Sequence, residues 1–398
     1  MRKIMFSILL LSLICGPFVS IFSSVSASTE LVEDSWNIKT PMSNYPWGKP
    51  SGVVVFDSKV YVIGGGDLHG DTTNPGYVEC YDPKTDTWTA LTPMPTPRDG
   101  VSIVVYQNKF YCIGGYIPNV GSVPMGRYVD VVEVYDPKTD SWSKKTSVPI
   151  EIGMPMQACV VGEQLFVIGL NGELCLYNHS VDSWSCKASL LVEIPSKQVV
   201  PNKQGYVVNG QLFVIVQKGH RMEMYMYDPD VDLWSKKANP PLDTTYSYVT
   251  LVRDKTVVID DKLVIPELNW VYQSLAPLNP GISAVNSDIS DCVITKEVIG
   301  AQWKLWIYDP NTDMWGEGKT SPMFAKSGVQ LFGITSGVYA PAKIYVFGYE
   351  QLDTDTLQTI TWIYDPANNV WSTAKAIPTD GLVAVQKLDK LVIVDDTF

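Results

Sequence analysis

The chain has 398 residues, and its 30 Lys and Arg residues against 42 Asp and Glu residues give a formal net charge of −12. A surface this acidic repels nucleic-acid phosphate, and no basic cluster offsets it, so the sequence argues against nucleic-acid binding. The length suits either two ordinary domains or one large closed all-β domain.

The N-terminus has the pattern of a secretory signal peptide. Arg2 and Lys3 precede an apolar run over residues 4–15, and a less apolar stretch leads to a small-residue cleavage site after Ala27. We therefore expect a secreted, extracellular protein. The alternative is an uncleaved anchor helix over residues 4–25. No later stretch approaches the roughly 20 apolar residues of a spanning helix, so no membrane span is predicted.

The rest of the chain is organised by a repeat, in which a tyrosine strand ends at a short turn and a new strand starts at a tryptophan. Units that recur roughly every 40–55 residues indicate a stacked or closed repeat fold. The six copies are Tyr81–Trp88, Tyr135–Trp142, Tyr177–Trp184, Tyr227–Trp234, Tyr308–Trp315 and Tyr364–Trp371.

One unit, residues 97–149, shows how the strands follow each other. Val101–Tyr106 and Phe110–Ile113 are β-branched or aromatic runs joined by a polar turn, and the second run stops at a double glycine. Val129–Tyr135 forms a third strand, and Trp142 opens a fourth. Four short strands joined by turn signals predict an antiparallel meander. Since no helical periodicity is present after the N-terminal segment, the fold class is all-β.

The repeated residues have structural functions, and we expect none of them to be catalytic. Asp followed by Pro suits the first two positions of a type I turn. The double glycine permits a positive φ where the second strand ends. Tyr and Trp supply large apolar surfaces that can fill the wedge between neighbouring sheets.

An apolar strand, a double glycine, a tyrosine strand, a short turn and a tryptophan together resemble the kelch repeat. Two units match fully, and later units keep one glycine or none. The resemblance implies an all-β, kelch-type β-propeller with one four-stranded antiparallel blade per repeat. The residues that carry it are Gly64, Gly65, Tyr81 and Trp88 in the first unit and Gly114, Gly115, Tyr135 and Trp142 in the second.

The resemblance covers nearly all of the chain after the predicted signal peptide, residues 1–27. We expect a single stand-alone propeller over residues 28–398. Its last blade is composite: residues 380–398 supply the first strands, and residues at about 29–47, around Trp36, supply the last one. Pairing the N- and C-terminal strands in this way closes the ring and removes exposed sheet edges.

The number of blades depends on the interval between Trp234 and Trp315, which is the longest in the series. Trp270 lies inside it, and we interpret this residue as the mark of a degenerate repeat. Eight blades are then preferred, and seven are the alternative if residues 242–323 form one irregular blade. The tryptophans counted are Trp36, Trp88, Trp142, Trp184, Trp234, Trp270, Trp315 and Trp371.

The cysteines make no CxxC pair, so a zinc site has no support, and neither a metal nor a cofactor is predicted. Cys175 and Cys186 flank one predicted hairpin symmetrically. They are candidates for cross-strand neighbours that are oxidised in an exported protein. The alternative is that both are buried free thiols.

The loops after strands two and four emerge at one end of each blade, and those after strand two vary in length. Variable loops on a rigid scaffold are where binding usually takes place. Basic residues there would favour an anionic group such as a carboxylate; the alternative is ordinary surface placement. The candidate ligand-binding residues are His69, Arg98, Tyr116, Arg127, His220, Arg221 and Tyr349.

The resemblance leaves two functions to weigh. The preferred one is a non-catalytic, exported protein that binds a protein or a surface glycan. The alternative is a carbohydrate-active enzyme of the sialic acid mutarotase or epimerase type, which would need an acid/base pair beside sugar-binding groups. A copper radical oxidase would need two histidines and two tyrosines near the axis, and His69, His179 and His220 are too far apart along the repeats.

Overall fold

Seven four-stranded antiparallel sheets make up the described part of the chain. The structure is a computed structural model, and it describes residues 5–13, 19–22, 37–38, 40, 48–49, 52–64, 66–67, 76–117, 126–149, 157–169, 172–190, 203–218, 221–242, 256–274, 296–322, 329–334, 343–351, 357–374 and 388–397.

Sheets 1 to 3 have short strands in a simple meander, in which each strand pairs with the next. Sheet 1 consists of Gly52–Phe56, Lys59–Ile63, Val78–Asp82 and Thr87–Leu91. Sheet 2 consists of Ser102–Tyr106, Lys109–Ile113, Val132–Asp136 and Ser141–Lys145. Sheet 3 consists of Gln157–Val161, Gln164–Ile168, Leu174–Asn178 and Ser183–Lys187.

Sheets 4 to 6 have the same meander with longer second and third strands. Sheet 4 consists of Lys203–Val208, Gln211–Lys218, Arg221–Asp228 and Leu233–Lys237. Sheet 5 consists of Val257–Ile259, Lys262–Ser274, Lys296–Asp309 and Met314–Glu317. Sheet 6 consists of Val329–Ile334, Ile344–Gln351, Leu357–Asp365 and Val370–Ala374.

The seventh sheet joins the two ends of the chain. Its strands, in spatial order, are Asn37–Ile38, Val19–Phe22, Met5–Leu13 and Leu388–Thr397. The C-terminal strand thus pairs with Met5–Leu13 and not with the strand that follows Trp36. The predicted composite blade, the closure of the ring and the total number of blades stay predictions.

Two short strand pairs extend the sheets at one end. Gly48–Lys49 pairs with Gly66–Asp67, and Tyr116–Ile117 pairs with Arg127–Tyr128. In sheets 1 to 5, the first strand of each sheet contacts the first strand of the next. The sheets therefore follow each other around a common axis with their first strands innermost, which is the arrangement of propeller blades.

The hydrophobic core lies between neighbouring sheets, in one cluster for each interface. Tyr61 and Cys80 of sheet 1, for example, pack with Phe110 and Cys112 of sheet 2. Similar clusters join sheets 2 and 3, 3 and 4, 4 and 5, and 5 and 6. Since sheets 2 to 5 each pack against a neighbour on both faces, their inner strands are largely buried, as the second and third strands of sheet 2 show.

The repeated tyrosines and tryptophans pack as predicted, at the outer side of these wedges. In each of sheets 1 to 6 the tyrosine of the third strand is directly opposite the tryptophan of the fourth. Their ring centroids lie 4.8 to 5.1 Å apart. The tyrosines are almost fully buried, while the tryptophans are half-buried because the fourth strand is an edge.

The predicted turn chemistry is also confirmed. The first aspartate of the turn accepts a backbone N–H bond from the residue two positions on, as Asp82 does from Lys84 at 2.9 Å. Gly64 and Gly114 have φ angles of 61° and 65°, and Gly115 has a φ of 110°. A side chain at Gly115 would also come within 2.7 Å of the carbonyl oxygen of Asp99, so the backbones approach closely there.

Trp270 does not mark a separate blade. It lies in the second strand of sheet 5, Lys262–Ser274, directly opposite Ala301 in the third strand. The fourth strand of that sheet starts beside Trp315. The prediction of a degenerate repeat is therefore wrong here, because a long strand pair was interpreted as the end of one meander and the start of another.

Candidate functional site

Two ends of the sheets differ in chemistry. The hairpin end carries the connections after strands two and four, and the turn end carries the turns after strands one and three. The predicted ligand-binding residues were all assigned to the hairpin end. The repeated Asp-Pro turns lie at the turn end.

Arg98 lies at the hairpin end, between sheets 1 and 2, and its side chain is fully buried. Its guanidinium is ion-paired with Glu133 on the third strand of sheet 2, at 2.5 Å. It also donates to the carbonyl oxygens of Gly114 at 2.7 Å, Thr96 at 2.7 Å and Cys112 at 3.0 Å. Thr96 in turn donates its hydroxyl to Glu133 at 2.7 Å.

These contacts surround the guanidinium, so Arg98 anchors the connection between sheets 1 and 2 to the second and third strands of sheet 2. The prediction that it belongs to a ligand-binding face is wrong. A buried arginine is retained only where an acid and carbonyl oxygens replace its water. The glycine at position 114 lets its carbonyl reach the guanidinium, which links the double glycine to Arg98.

A small ledge formed by Tyr116, Arg127 and Tyr128 stands at the hairpin end of sheet 2. Tyr116 pairs with Tyr128, and their rings lie 5.0 Å apart. The backbone N–H and C=O of Tyr116 exchange hydrogen bonds with Asp99 at 2.7 and 2.8 Å. Arg127 is exposed beside them. The ledge is therefore held by backbone hydrogen bonds and carries one exposed arginine beside two tyrosines.

The hairpin of sheet 4 carries a second exposed cation. Arg221 opens the third strand and is directly opposite Lys218, the last residue of the second strand. In sheet 6, Tyr349 pairs with Thr359 in the backbone register.

Those of the predicted residues that the structure describes are spread over several sheets. Arg127 and Arg221 lie on the hairpins of sheets 2 and 4, with sheet 3 between them. His69 and His220 lie outside the described residues, as do Gly65 and Trp36.

A six-fold repeated contact fastens the sheets at the turn end, and we call it the clasp. Its centre is the acidic or amide residue two positions before each tryptophan. One oxygen of that residue accepts the tyrosine hydroxyl of its own sheet at 2.6 to 2.9 Å. The same oxygen accepts a backbone N–H from the preceding fourth strand at 2.7 to 3.1 Å.

The tryptophan completes the clasp. Its indole N–H donates to the carbonyl oxygen of the residue whose N–H binds the acid, at 2.6 to 2.9 Å. Each sheet is thus held by the N–H and the carbonyl oxygen of one residue. In sheets 2 to 6 this residue lies just beyond the fourth strand of the preceding sheet, and in sheet 1 it is Thr40. The acceptor residues are Asp86, Asp140, Asp182, Asp232, Asp313 and Asn369, and their partners are Thr40, Thr92, Thr146, Ala188, Ala238 and Lys319.

The clasp residue also has a special backbone. All six have a φ between 47° and 56°, the left-handed region that Asp and Asn tolerate better than most residues. Sequence reasoning did not assign these residues a function. The signal was present, because an Asp or Asn stands two positions before the tryptophan in each of the six copies.

Hydrogen bonding shifts the acidity of two clasp residues. For Asp182, burial opposes ionisation, but the Tyr177 hydroxyl and the Thr146 N–H outweigh it, so the pKa of Asp182 is lowered. For Asp232, the Ala188 N–H and then the Tyr227 hydroxyl lower the pKa. Both carboxylates are therefore favoured in the charged form that accepts these bonds.

Two other features are absent from the described ranges. No group of His, Cys, Asp or Glu residues there could hold a metal ion. No helix in the same part of the chain has the length and apolarity needed to cross a membrane.

Known proteins match this chain through a shared motif. The Kelch motif matches residues 48–95 and 97–149, which contain sheets 1 and 2. Alpha-scruin of Limulus polyphemus is 34% identical over 95 residues, which are 24% of this chain and 10% of that protein. Kelch-like protein 4 of Homo sapiens is 39% identical over 84 residues, which are 21% of this chain and 10% of that protein.

A longer match reaches beyond sheet 2. Kelch repeat and BTB domain-containing protein 2 of Pongo abelii is 26% identical over 230 residues, which are 51% of this chain and 33% of that protein. The chain thus spans only a minor part of these relatives' length. A solved structure titled "Structure of YjhT" aligns with a TM-score of 0.48 at 13% identity, covering 83% of this chain and 98% of that one. The chain is thus similar to kelch-repeat proteins at residues 48–149, and the clasp found in sheets 1 and 2 is repeated in all six four-stranded sheets that follow the same meander.

Proposed function

We propose that the chain is an exported, non-catalytic binding protein that presents the hairpin end of a kelch propeller to a protein or glycan partner. Kelch propellers are typical protein-interaction scaffolds. The observation that carries the proposal is the contrast between the two ends of the sheets. The turn end repeats one arrangement six times, while the hairpin end changes from sheet to sheet.

The second strands, which lead to the hairpin end, differ in length from sheet to sheet. They have 5 residues in sheets 1 to 3, 8 in sheets 4 and 6, and 13 in sheet 5. At about 3.3 Å per residue, the longest strand extends to about 43 Å and the shortest to about 17 Å. The second strands of sheets 4 to 6 are therefore longer than those of sheets 1 to 3, and an uneven surface of this kind suits one particular partner.

Charge supports an anionic group on the partner. The net charge of the chain is −12, yet Arg127 and Arg221 are both exposed on hairpins at this end. An arginine can bind a carboxylate or a sulfate through two parallel hydrogen bonds. Because the two arginines lie on separate sheets, they suit a partner that spans several blades.

The carbohydrate-active alternative loses its main support. That alternative would be favoured if Arg98, Arg127 or Arg221 converged with a carboxylate in an axial pocket. The guanidinium of Arg98 is buried and bound to Glu133 and to three carbonyl oxygens. The other two arginines lie on different sheets. Scattering of this kind favours a binding surface over a catalytic centre.

Export with cleavage after Ala27 is part of the proposal, and it has a structural consequence. Cleavage removes Met5–Leu13 and Val19–Phe22 from the seventh sheet. Leu388–Thr397 and the strand at Asn37–Ile38 are then left, and these are the segments that the composite blade uses.

The proposal is tested with the chain from residue 28 onward, applied to arrays of glycans and of extracellular proteins. For any partner found, the double variant Arg127→Ala/Arg221→Ala should bind at least about tenfold more weakly, the equivalent of about 1.4 kcal/mol. Thermal melting should not change, since both side chains are exposed.

A matched control changes the same charge at the opposite end. Lys84 and Lys138 are exposed in the Asp-Pro-Lys turns of sheets 1 and 2. The variant Lys84→Ala/Lys138→Ala should bind the partner like the native chain. Full binding by the arginine variant, or equal weakening by both variants, would contradict the assignment of the hairpin end.

A further inference from the structure

Cys175 and Cys186 face each other across the third and fourth strands of sheet 3. They are directly opposed in the strand register, and their Sγ atoms lie 3.6 Å apart. Opposed residues in antiparallel strands have Cα atoms about 4.5 or 5.5 Å apart. Both values lie within the range of about 4.4–6.8 Å found for disulfides. Side-chain rotation alone can therefore bring the two sulfurs to bonding distance.

The two thiols differ in their access to solvent. Cys175 has no exposed surface, while Cys186 is exposed on the edge strand. Burial raises the pKa of the Cys175 thiol to about 12. A reagent from solution therefore meets Cys186 first, and Cys175 reacts second, from inside the sheet.

The same register position in the other sheets is occupied by unrelated pairs. Among the six sheets described, only sheet 3 has sulfur on both strands at this position. The corresponding pairs are Glu79 with Ala90, Glu133 with Lys144, Tyr225 with Lys236, Trp306 with Glu317 and Trp362 with Thr373. The repeat itself therefore does not require cysteines here.

We propose that Cys175 and Cys186 are a reversible disulfide site that ties the third strand of sheet 3 to its exposed fourth strand. The oxidant is a small-molecule disulfide such as oxidised glutathione. The Cys186 thiolate attacks the disulfide, forms a mixed disulfide and releases one glutathione thiolate. Cys175 then loses its proton, attacks the Sγ of Cys186 and releases the second glutathione. The protein loses two S–H bonds and gains one S–S bond, and the oxidant is reduced to two thiols.

The location gives the bond a structural effect. The fourth strand of sheet 3 carries Trp184, which donates to the carbonyl of Thr146 in the clasp with the preceding strand. It leads directly into Ala188, which donates to Asp232 in the clasp with sheet 4. Cys186 lies between these two residues. A disulfide at this point holds the strand through which three sheets are fastened together.

The first measurement is made on the full chain, reduced and then freed of reductant. It is incubated with oxidised glutathione, its remaining thiols are alkylated after unfolding, and its peptides are mapped by mass spectrometry. We expect one intramolecular bond between Cys175 and Cys186 without attached glutathione, and alkylation of Cys80, Cys112 and Cys159. Glutathione that stays on Cys186 beside a free Cys175, or a Cys186 that does not react, would overturn the proposal.

Variants test the order of the two steps. In Cys175→Ser, glutathione should stay on Cys186, because no second thiol can displace it. In Cys186→Ser, which alters only an exposed side chain, Cys175 should stay unmodified. Cys159→Ser is the matched control, since Cys159 is also a buried thiol in sheet 3, and it should form the bond like the native chain. Glutathione on Cys175 of the Cys186→Ser variant would contradict the mechanism.

Stability gives an independent readout. The oxidised native chain and the oxidised Cys159→Ser control should both melt at a higher temperature than their reduced forms. Cys186→Ser should melt at the same temperature under both conditions. An equal response of all three chains would show that the oxidant does not act through this pair.

Discussion

At the scale of single residues, the clasp depends on an oxygen atom that accepts two hydrogen bonds on a backbone with positive φ. Asp and Asn are the residues that combine a short acceptor side chain with tolerance of this backbone. Sheet 6 uses Asn369, whose Oδ1 accepts the Tyr364 hydroxyl at 2.9 Å and the Lys319 N–H at 2.7 Å. The amide therefore reproduces the geometry of the carboxylate without its charge.

Asn369 stands where the other five sheets have an aspartate, which suggests how the stability of the clasp depends on pH. The pKa values of Asp182 and Asp232 are lowered in the folded protein, from about 3.9 in an unfolded chain. Their contribution to stability is thus fully present above that value and is lost as the pH falls through the folded pKa. We expect thermal melting between neutral pH and pH 2 to show a smaller acid-induced fall in the variant Asp182→Asn/Asp232→Asn than in the native chain.

The control for this experiment is the neutral range. At pH 7 the asparagine variant should fold and melt close to the native chain, because Asn369 performs the same contact in sheet 6. A variant whose melting temperature falls with acid as steeply as that of the native chain would show that these two carboxylates are not the groups that titrate.

At the scale of elements, the connection from sheet 1 to sheet 2 is held at the hairpin end by the buried pair of Arg98 and Glu133. Their side chains are 0% and 4% exposed. Replacement of Glu133 by Gln leaves a buried guanidinium without its counter-charge. We expect a loss of about 3–5 kcal/mol in the free energy of unfolding, measured by urea denaturation.

An exposed pair in the same sheet is the control. Lys109 and Asp136 are 2.8 Å apart, with side chains 43% and 22% exposed. Asp136→Asn keeps the acceptor for the Lys138 N–H and should cost about 0–1 kcal/mol. Similar losses for both variants would mean that Arg98 finds water or another acceptor when Glu133 is neutral.

The comparison of sequence with structure also belongs to this scale. The strands of sheets 1 and 2 are predictable, because β-branched runs, turn residues and a double glycine agree with each other in both units. The burial of Arg98 is not predictable, because its partner Glu133 is distant in the sequence and nothing local shows that the two meet. For the same reason the sequence predicts a ligand-binding function for a residue that anchors a connection to sheet 2.

In sheet 5 the sequence does not predict the lengths of the strands. Its second and third strands are 13 and 14 residues long, and the repeat elsewhere leads one to expect 5. Trp270 in such a strand looks like the start of a new fourth strand, since the sequence alone does not tell a long hairpin from two short ones. The contact that distinguishes them is long-range and lies in the clasp.

At the scale of the whole molecule, the clasp defines which sheets are neighbours. Ala238, beyond the fourth strand of sheet 4, donates its N–H to Asp313 and accepts from the indole of Trp315. Sheets 4 and 5 are thus joined directly, and no sheet ending at Trp270 stands between them. The described residues therefore fit the alternative of one irregular blade over residues 242–323, while the number of blades and the closure of the ring stay predictions.

The clasp also extends to the N-terminal part of the chain. Thr40 donates its N–H to Asp86 at 2.9 Å and accepts from the indole of Trp88 at 2.8 Å. Thr40 stands four positions after Trp36, as Thr92 stands four positions after Trp88. Thr40 therefore makes the contacts to sheet 1 that Thr92 makes to sheet 2, and the described residues Asn37 and Ile38 stand just before it in the chain.

The C-terminal strand has two candidate partners: Met5–Leu13, and the segment at about residues 29–47 in the predicted composite blade. Truncation of the N-terminus distinguishes them. In the structure Leu388–Thr397 pairs with Met5–Leu13, which cleavage after Ala27 would remove. We expect the chain from residue 28 to fold and to melt close to the full chain, because the Thr40 clasp is kept. The chain from residue 42 loses both clasp hydrogen bonds, at about 0.5–1.5 kcal/mol each, and should melt at a lower temperature. If the chain from residue 28 does not fold, Met5–Leu13 is an indispensable strand of the ring, and the cleaved, exported form that we propose cannot exist.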